Sequence, residues 1–163
     1  DSPAGESRAL WELVQPFYGE VLMHIDLHET TDSDESEFRP ALAARDGKPH
    51  EPGTIPDGFY LVDDSENPQP AFQRAIIDAV GEVTHIAPAD PDGTIIGSPV
   101  IAPGVIEYPV VKLGLCAGIS GAKFTTTTEV YPDSPKATPA QRNDAQAAAV
   151  RAAINHALAH AAA

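Results

Sequence analysis

Leu22-Met23-His24-Ile25-Asp26-Leu27-His28-Glu29-Thr30-Thr31 is the stretch on which the fold turns. Glu20 to Leu27 is nearly continuous in apolar residues up to His24, the pattern of a buried strand. Strand alternation puts His24, Asp26 and His28 on one face. The strand then gives way to a polar loop holding Asp32, Asp34, Glu35 and Glu37. An α/β sheet presents its chemistry at the carboxyl ends of buried strands, which makes His28 a candidate metal ligand. A second strand, Ala122 to Val130, runs through four consecutive threonines and ends near the carboxylate of Glu129.

The segments around these two strands alternate in type. Apolar spacing at Leu10, Leu13 and Val14 predicts a helix over Glu6 to Gln15, closed by Pro16 and Gly19. Glu29 to Asp57 carries four prolines and two glycines and is expected to be irregular; so long a loop is more often functional than a passive connector. Gly58 to Val62 and Val83 to Ile86 are short strand candidates. Phe72, Ile76, Ile77 and Val80 predict a helix over Pro70 to Val80, and Thr94 to Val111 suits a hairpin excursion. Thr138 can cap a last helix with Pro139 in its first turn, along which Val150, Ile154 and Leu158 recur every four residues. Strands alternating with helices predict an α/β fold, a mainly parallel mixed sheet flanked by helices, forming one domain over residues 1–163.

Composition narrows the partners. The 163 residues are enough for a real core, and 42% hydrophobic content places the chain among globular proteins. A formal charge of −14 disfavours nucleic acid and anionic membrane. No apolar run is long enough to span a bilayer. A soluble protein is expected, with the cytoplasm the favoured compartment. Cys116 is the only cysteine, so no internal disulfide can form. The chain opens on Asp1-Ser2-Pro3-Ala4-Gly5, a loop-like start without a methionine, and an upstream portion is expected.

Each candidate has an ordinary reading beside the chemical one. Zinc takes imidazole readily, and catalytic sites use three protein ligands plus water; the plain alternative for His28 is a histidine satisfied by hydrogen bonds. His24 shares its face but lies roughly 13 Å away along a strand, too far to share one ion, so it is read as a core or supporting residue. Asp26 lies between them and either orients His28 or is a buried carboxylate bonded to backbone amides. Glu129 is a general-base candidate or a solvated strand end. The acidic loop lacks the glycine and terminal glutamate of a calcium loop and reads as a solvated charge run. His156 and His160 have helical spacing, but no glutamate follows His156 directly, so they read as surface histidines.

Together these pieces resemble the zinc carboxypeptidase superfamily (carboxypeptidase A-like), which includes the aspartoacylase and succinylglutamate desuccinylase branch. Ser2-Pro3-Ala4-Gly5-Glu6-Ser7-Arg8-Ala9-Leu10 resembles the start of that family's helix before the third zinc ligand. Asp26-Leu27-His28 resembles its Asp-Leu-His, and Phe124 to Val130 its strand ending on the catalytic glutamate. The resemblance implies a Zn2+-dependent hydrolase of amide bonds, most simply a metallocarboxypeptidase, acting on a peptide or acyl-amino-acid substrate. It implies His28 as zinc ligand, Glu129 as catalytic base and Tyr108 as a substrate-binding tyrosine. The family's other two ligands come from a His-x-x-Glu motif. None of the 6 histidines here has a glutamate three residues later. The resemblance is therefore to the later half of a catalytic domain, with the missing N-terminal half as partner, and this chain alone is expected to bind zinc weakly and hydrolyse little. The alternatives are an N-acyl amino acid deacylase of the aspartoacylase type and a non-catalytic module that kept the fold.

Overall fold

The structure, a computed structural model, describes residues 4–161. The part of the resemblance carried by Ser2 and Pro3 lies outside the described residues. In chain order the elements are α1 (Gly5–Val14), β1 (Met23–Glu29), α2 (Arg39–Arg45), β2 (Tyr60–Asp64), α3 (Pro70–Gly81), β3 (Thr94–Ile95), β4 (Ser98–Ala102), β5 (Val105–Tyr108), α4 (Val110–Leu113), β6 (Phe124–Val130) and α5 (Pro139–Ala159). Six strands form one mixed sheet in the order β1-β6-β2-β5-β4-β3. Its two longest ladders, β1–β6 and β2–β5, are parallel, and β6 meets β2 antiparallel. The two parallel pairs therefore point in opposite directions, and β1 and β6 end together at one edge of the sheet.

The two faces of the sheet differ in chemistry. One is covered by α3 and α5, where Leu61, Phe72, Ile76, Val80 and Phe124 pack against Ala145, Ala149, Ala153 and Ala157. Inside this layer Asp63 is fully buried, and burial raises its pKa. The Asp63 carboxylate accepts from the backbone N–H groups of Asp64 and Gln69 and from Gln73 Nε2. Gln73 in turn donates to the Thr125 carbonyl and accepts from Thr126, so one glutamine ties α3 to both central strands. The opposite face carries Tyr60, Val62, Ile106 and Val110 in a smaller apolar cluster. Its outer part, over β1 and β6, is polar.

Several expectations from sequence shift. The first strand runs to Glu29 rather than Leu27, because the ladder to β6 is unbroken as far as Val130. Val83 to Ile86 contributes a single bridge, Phe59 to Ile86, rather than a strand. Glu29 to Asp57 is not wholly irregular: a π-helical turn at Asp34–Phe38 runs into α2. Pro40 does not break it, because it sits in the first turn of α2, where its fixed φ is tolerated. Asp34 accepts from the Thr31 N–H, and Glu35 pairs with Arg39, His50 and the Gly53 N–H, so much of the charge run is internally partnered.

Helix α5 forms as expected, with Thr138 and Gln141 making reciprocal capping bonds. The face it buries is the alanine one: Ile154 is exposed and Leu158 is 67% exposed. Alanines let α5 approach α3 closely, and the larger side chains are turned outward. His156 departs from the surface reading, since its ring packs edge-on against Phe72 and Phe124, and burial lowers its pKa.

Behind the sheet edge, Asp57 fastens three loops. One carboxylate oxygen accepts from Ser134 Oγ at 2.6 Å and His85 Nε2 at 3.1 Å, and the other lies 2.7 Å from Lys136 Nζ. Gly58 follows with φ +149, and a Cβ there would meet the Ala87 backbone nitrogen at 2.5 Å, so the chain can pass only as glycine. The hydrogen bonds from Lys136 and Ser134 pull the Asp57 pKa from 3.8 to about 2. A lowered acid stabilises the fold above its unfolded value and loses that contribution as pH falls through its folded value. Asp57→Asn should therefore cost about 1–2 kcal/mol at neutral pH, allowing for partial exposure. Urea unfolding across a pH series should show the gap closing as pH drops from 4 towards 2.

Candidate active site

The parallel register of β1 and β6 sets Asp26 opposite Thr127 and His28 opposite Glu129. Paired residues on adjacent strands point to the same side and lie about 4.8 Å apart in the pairing direction. The antiparallel register of β2 then places Tyr60 beside Glu129 on its other flank. His28, Glu129 and Tyr60 thus form one row across three strands, on the sheet face away from α3 and α5. The strand tips are held from that helix layer: Gln146 of α5 donates to the His28 carbonyl and accepts from Thr128 Oγ1 at 2.6 Å.

Within the row, His28 Nδ1 lies 3.0 Å from Asp26 Oδ2. A carboxylate only accepts, so this bond places the proton on Nδ1 and leaves the Nε2 lone pair free. The imidazole is 53% exposed and can reach a ligand; Asp26 behind it is 30% exposed. This pairing of carboxylate and imidazole orients metal-bound histidines in general. His24 is held differently, by a 2.9 Å bond between Nδ1 and Ser120 Oγ, and burial lowers its pKa.

Glu129 is largely enclosed, and burial raises its pKa from 4.5 to about 7. Two influences oppose that rise: the charge of His28 when it is protonated, and a 3.0 Å hydrogen bond from Thr30 Oγ1 to Oε2. Asp26 and Asp34 push it further up. Thr30 also lies 3.0 Å from the hydroxyl of Tyr60, which is 1% exposed. Burial comes first in raising the Tyr60 pKa, followed by the Glu129 charge.

Thr30 and Tyr60 were not singled out in the sequence. Thr30 offered a signal, following His28 by two positions at a strand end; Tyr60 offered none, because its place depends on the β2 register. Tyr108 is not brought into this row. It pairs with Asp64 at the far end of β2, four residues from Tyr60 and about 13 Å along the strand. It lies on the same face and contributes to raising the Tyr60 pKa.

The fit to zinc is partial. No group of three His, Cys, Asp or Glu side chains able to hold an ion occurs among the described residues. His28 with Asp26 behind it has the chemistry of one zinc ligand, and a catalytic zinc takes three from protein. Among the described residues no helix is long and apolar enough to cross a membrane.

No protein-family model matches the chain, and no curated protein matches it. Solved structures that resemble it include the following two. One, a "putative metallopeptidase" from Shewanella denitrificans OS217, is 21% identical, with a TM-score of 0.47 over 66% of this chain and 39% of that one. The other, given the same description, from Shewanella amazonensis SB2B, is 21% identical, with a TM-score of 0.45 over 93% of this chain and 44% of that one. The chain thus spans about two fifths of the length of each.

Glu129 has a consequence for stability that needs no metal. An acid whose folded pKa is raised favours the fold in its neutral form, so its ionisation weakens the fold as pH climbs from 4.5 to about 7. Glu129→Gln should match the parent protein at pH 4.5 and be more stable above pH 7, by at most about 3 kcal/mol. Denaturation of the metal-free protein at both pH values reads the difference; equal curves at both would place Glu129 in water.

Proposed function

We propose that this chain forms part of a zinc-dependent hydrolase that cleaves an amide bond, most simply a metallocarboxypeptidase. The observation that carries the reading is the β1–β6 register, which sets an imidazole backed by Asp26 beside the half-buried carboxylate of Glu129. Solvated strand-end residues would have neither the carboxylate behind the imidazole nor the burial around the glutamate.

In this reading His28 Nε2 is one zinc ligand and Asp26 fixes its tautomer and direction. The other ligands come from polypeptide outside residues 1–163. Bound zinc would lower the pKa of an attacking water and polarise the scissile carbonyl. Glu129 takes the proton from that water and delivers it to the leaving amine nitrogen. The enclosure that raises the Glu129 pKa also favours its holding the proton between the two transfers. Tyr108, on the same face beyond Tyr60, is assigned to the outer part of the substrate's path. The substrate is a peptide or an acyl-amino acid, and the acidity of the chain supports neither a nucleic-acid nor a membrane partner.

Two substitutions separate the roles. In the full-length protein His28→Ala should abolish stoichiometric zinc, measured by elemental analysis after dialysis. Glu129→Gln should keep the zinc and lose turnover by at least about a hundredfold. Unchanged zinc in the first, or unchanged turnover in the second, removes the assignment. Release of C-terminal residues from peptides, compared with hydrolysis of N-acyl amino acids, distinguishes peptidase from deacylase.

A further inference from the structure

Glu129 has two oxygens, and the structure treats them differently. Oε2 accepts a hydrogen bond from Thr30 Oγ1 at 3.0 Å. A threonine hydroxyl has one proton, and Glu129 in its ionised, proton-accepting form cannot donate, so in that form the proton points at Glu129. The 3.0 Å contact between Thr30 Oγ1 and the Tyr60 hydroxyl must then be a bond that Tyr60 donates. With Glu129 ionised, donation runs from Tyr60 through Thr30 to Oε2.

Each member is placed by a different piece of backbone. Tyr60 stands beside Glu129 through the antiparallel β2–β6 register. Thr30 lies just past the end of β1, where its N–H donates to the Val130 carbonyl at 2.9 Å and continues the ladder for one more residue. A buried tyrosine hydroxyl needs some partner. Here the partner it has is the group that holds the glutamate.

We propose that Thr30 is a positioning residue: its hydroxyl, oriented by Tyr60, occupies Oε2 of Glu129 and reserves Oε1 as the oxygen that takes and returns the proton. The inference rests on the reading of Glu129 as the base. In the step concerned, the water oxygen forms a bond to the carbonyl carbon and its proton goes to Oε1. The C–N bond then breaks, and the same proton passes to the departing nitrogen. With Oε2 already accepting from Thr30, the proton stays on the oxygen nearest the reacting atoms. Without Thr30 the carboxylate can rotate, and either oxygen can hold the proton.

The test uses the full-length zinc-loaded protein with Thr30→Val, Thr30→Ser and Tyr60→Phe, assayed on an N-benzoyl dipeptide and an N-acetyl amino acid. Thr30→Val should lower kcat about tenfold to a hundredfold, the scale of one hydrogen bond to a charged group, with KM within about twofold. Thr30→Ser should restore kcat, and Tyr60→Phe should give a smaller fall. Crystal structures of the same proteins supply a readout independent of turnover: Glu129 should keep one orientation in the parent and in Thr30→Ser, and adopt more than one in Thr30→Val. Equal kcat for the valine and serine variants, or an unmoved Glu129 in Thr30→Val, overturns the proposal. If the zinc-loaded parent hydrolyses neither substrate, the amide-hydrolase reading fails, and the crystallographic comparison still decides whether Thr30 holds Glu129.

Discussion

The parallel pairing of β1 with β6 is the constraint from which the site follows. Seven successive residues of one strand are matched to seven of the other, ending with Glu29 against Val130. A slip of one residue would carry His28 and Asp26 to the helix-covered face, because side chains alternate at every position. The ladder is held near both of its ends from the helix-covered face. Gln73 reaches the Thr125 carbonyl from α3, and Gln146 reaches the His28 carbonyl from α5. The registration of imidazole and carboxylate is thereby tied to the packing of the helix layer.

The electrostatics of the row depend on unequal exposure. The His28 side chain is open to solvent on one side and backed by Asp26, while Glu129 is enclosed. Enclosure raises the carboxyl pKa, and His28 opposes the rise only when it is protonated. Thr30 stabilises the ionised form with one hydrogen bond and leaves the second oxygen available. Asp63, also buried on the same sheet, shows the contrast. Its carboxylate is filled by backbone and glutamine donors and serves only to join α3 to β2.

Much of the framework was legible in the residues. The apolar run before His24 and the four threonines before Glu129 marked the two strands, and the Thr138 cap marked the last helix. The pairing of Asp26 with His28 was foreseeable from alternation alone, since residues two apart on a strand share a face. The helical stretch around Asp34 to Arg45 was hidden by Pro40, which marks a break in isolation and a helix start in context. The buried face of α5 was also hidden. Val150, Ile154 and Leu158 carry the hydrophobic periodicity, but close approach to α3 favours alanine, and volume decided against hydrophobicity.

By itself the sequence determined the elements that local chemistry controls: strands where apolar and β-branched residues run together, a capped helix, and an acid-rich surface. It also named His28, Asp26 and Glu129, because each sits at or near a strand end. Only the tertiary structure decided that β1 and β6 are neighbours, that β2 runs against them, and that Tyr60 and Thr30 complete the row around Glu129. These are relations between residues separated by up to about a hundred positions. They arise from sheet order and register, which depend on how helices and strands pack, and no local pattern of side chains records them.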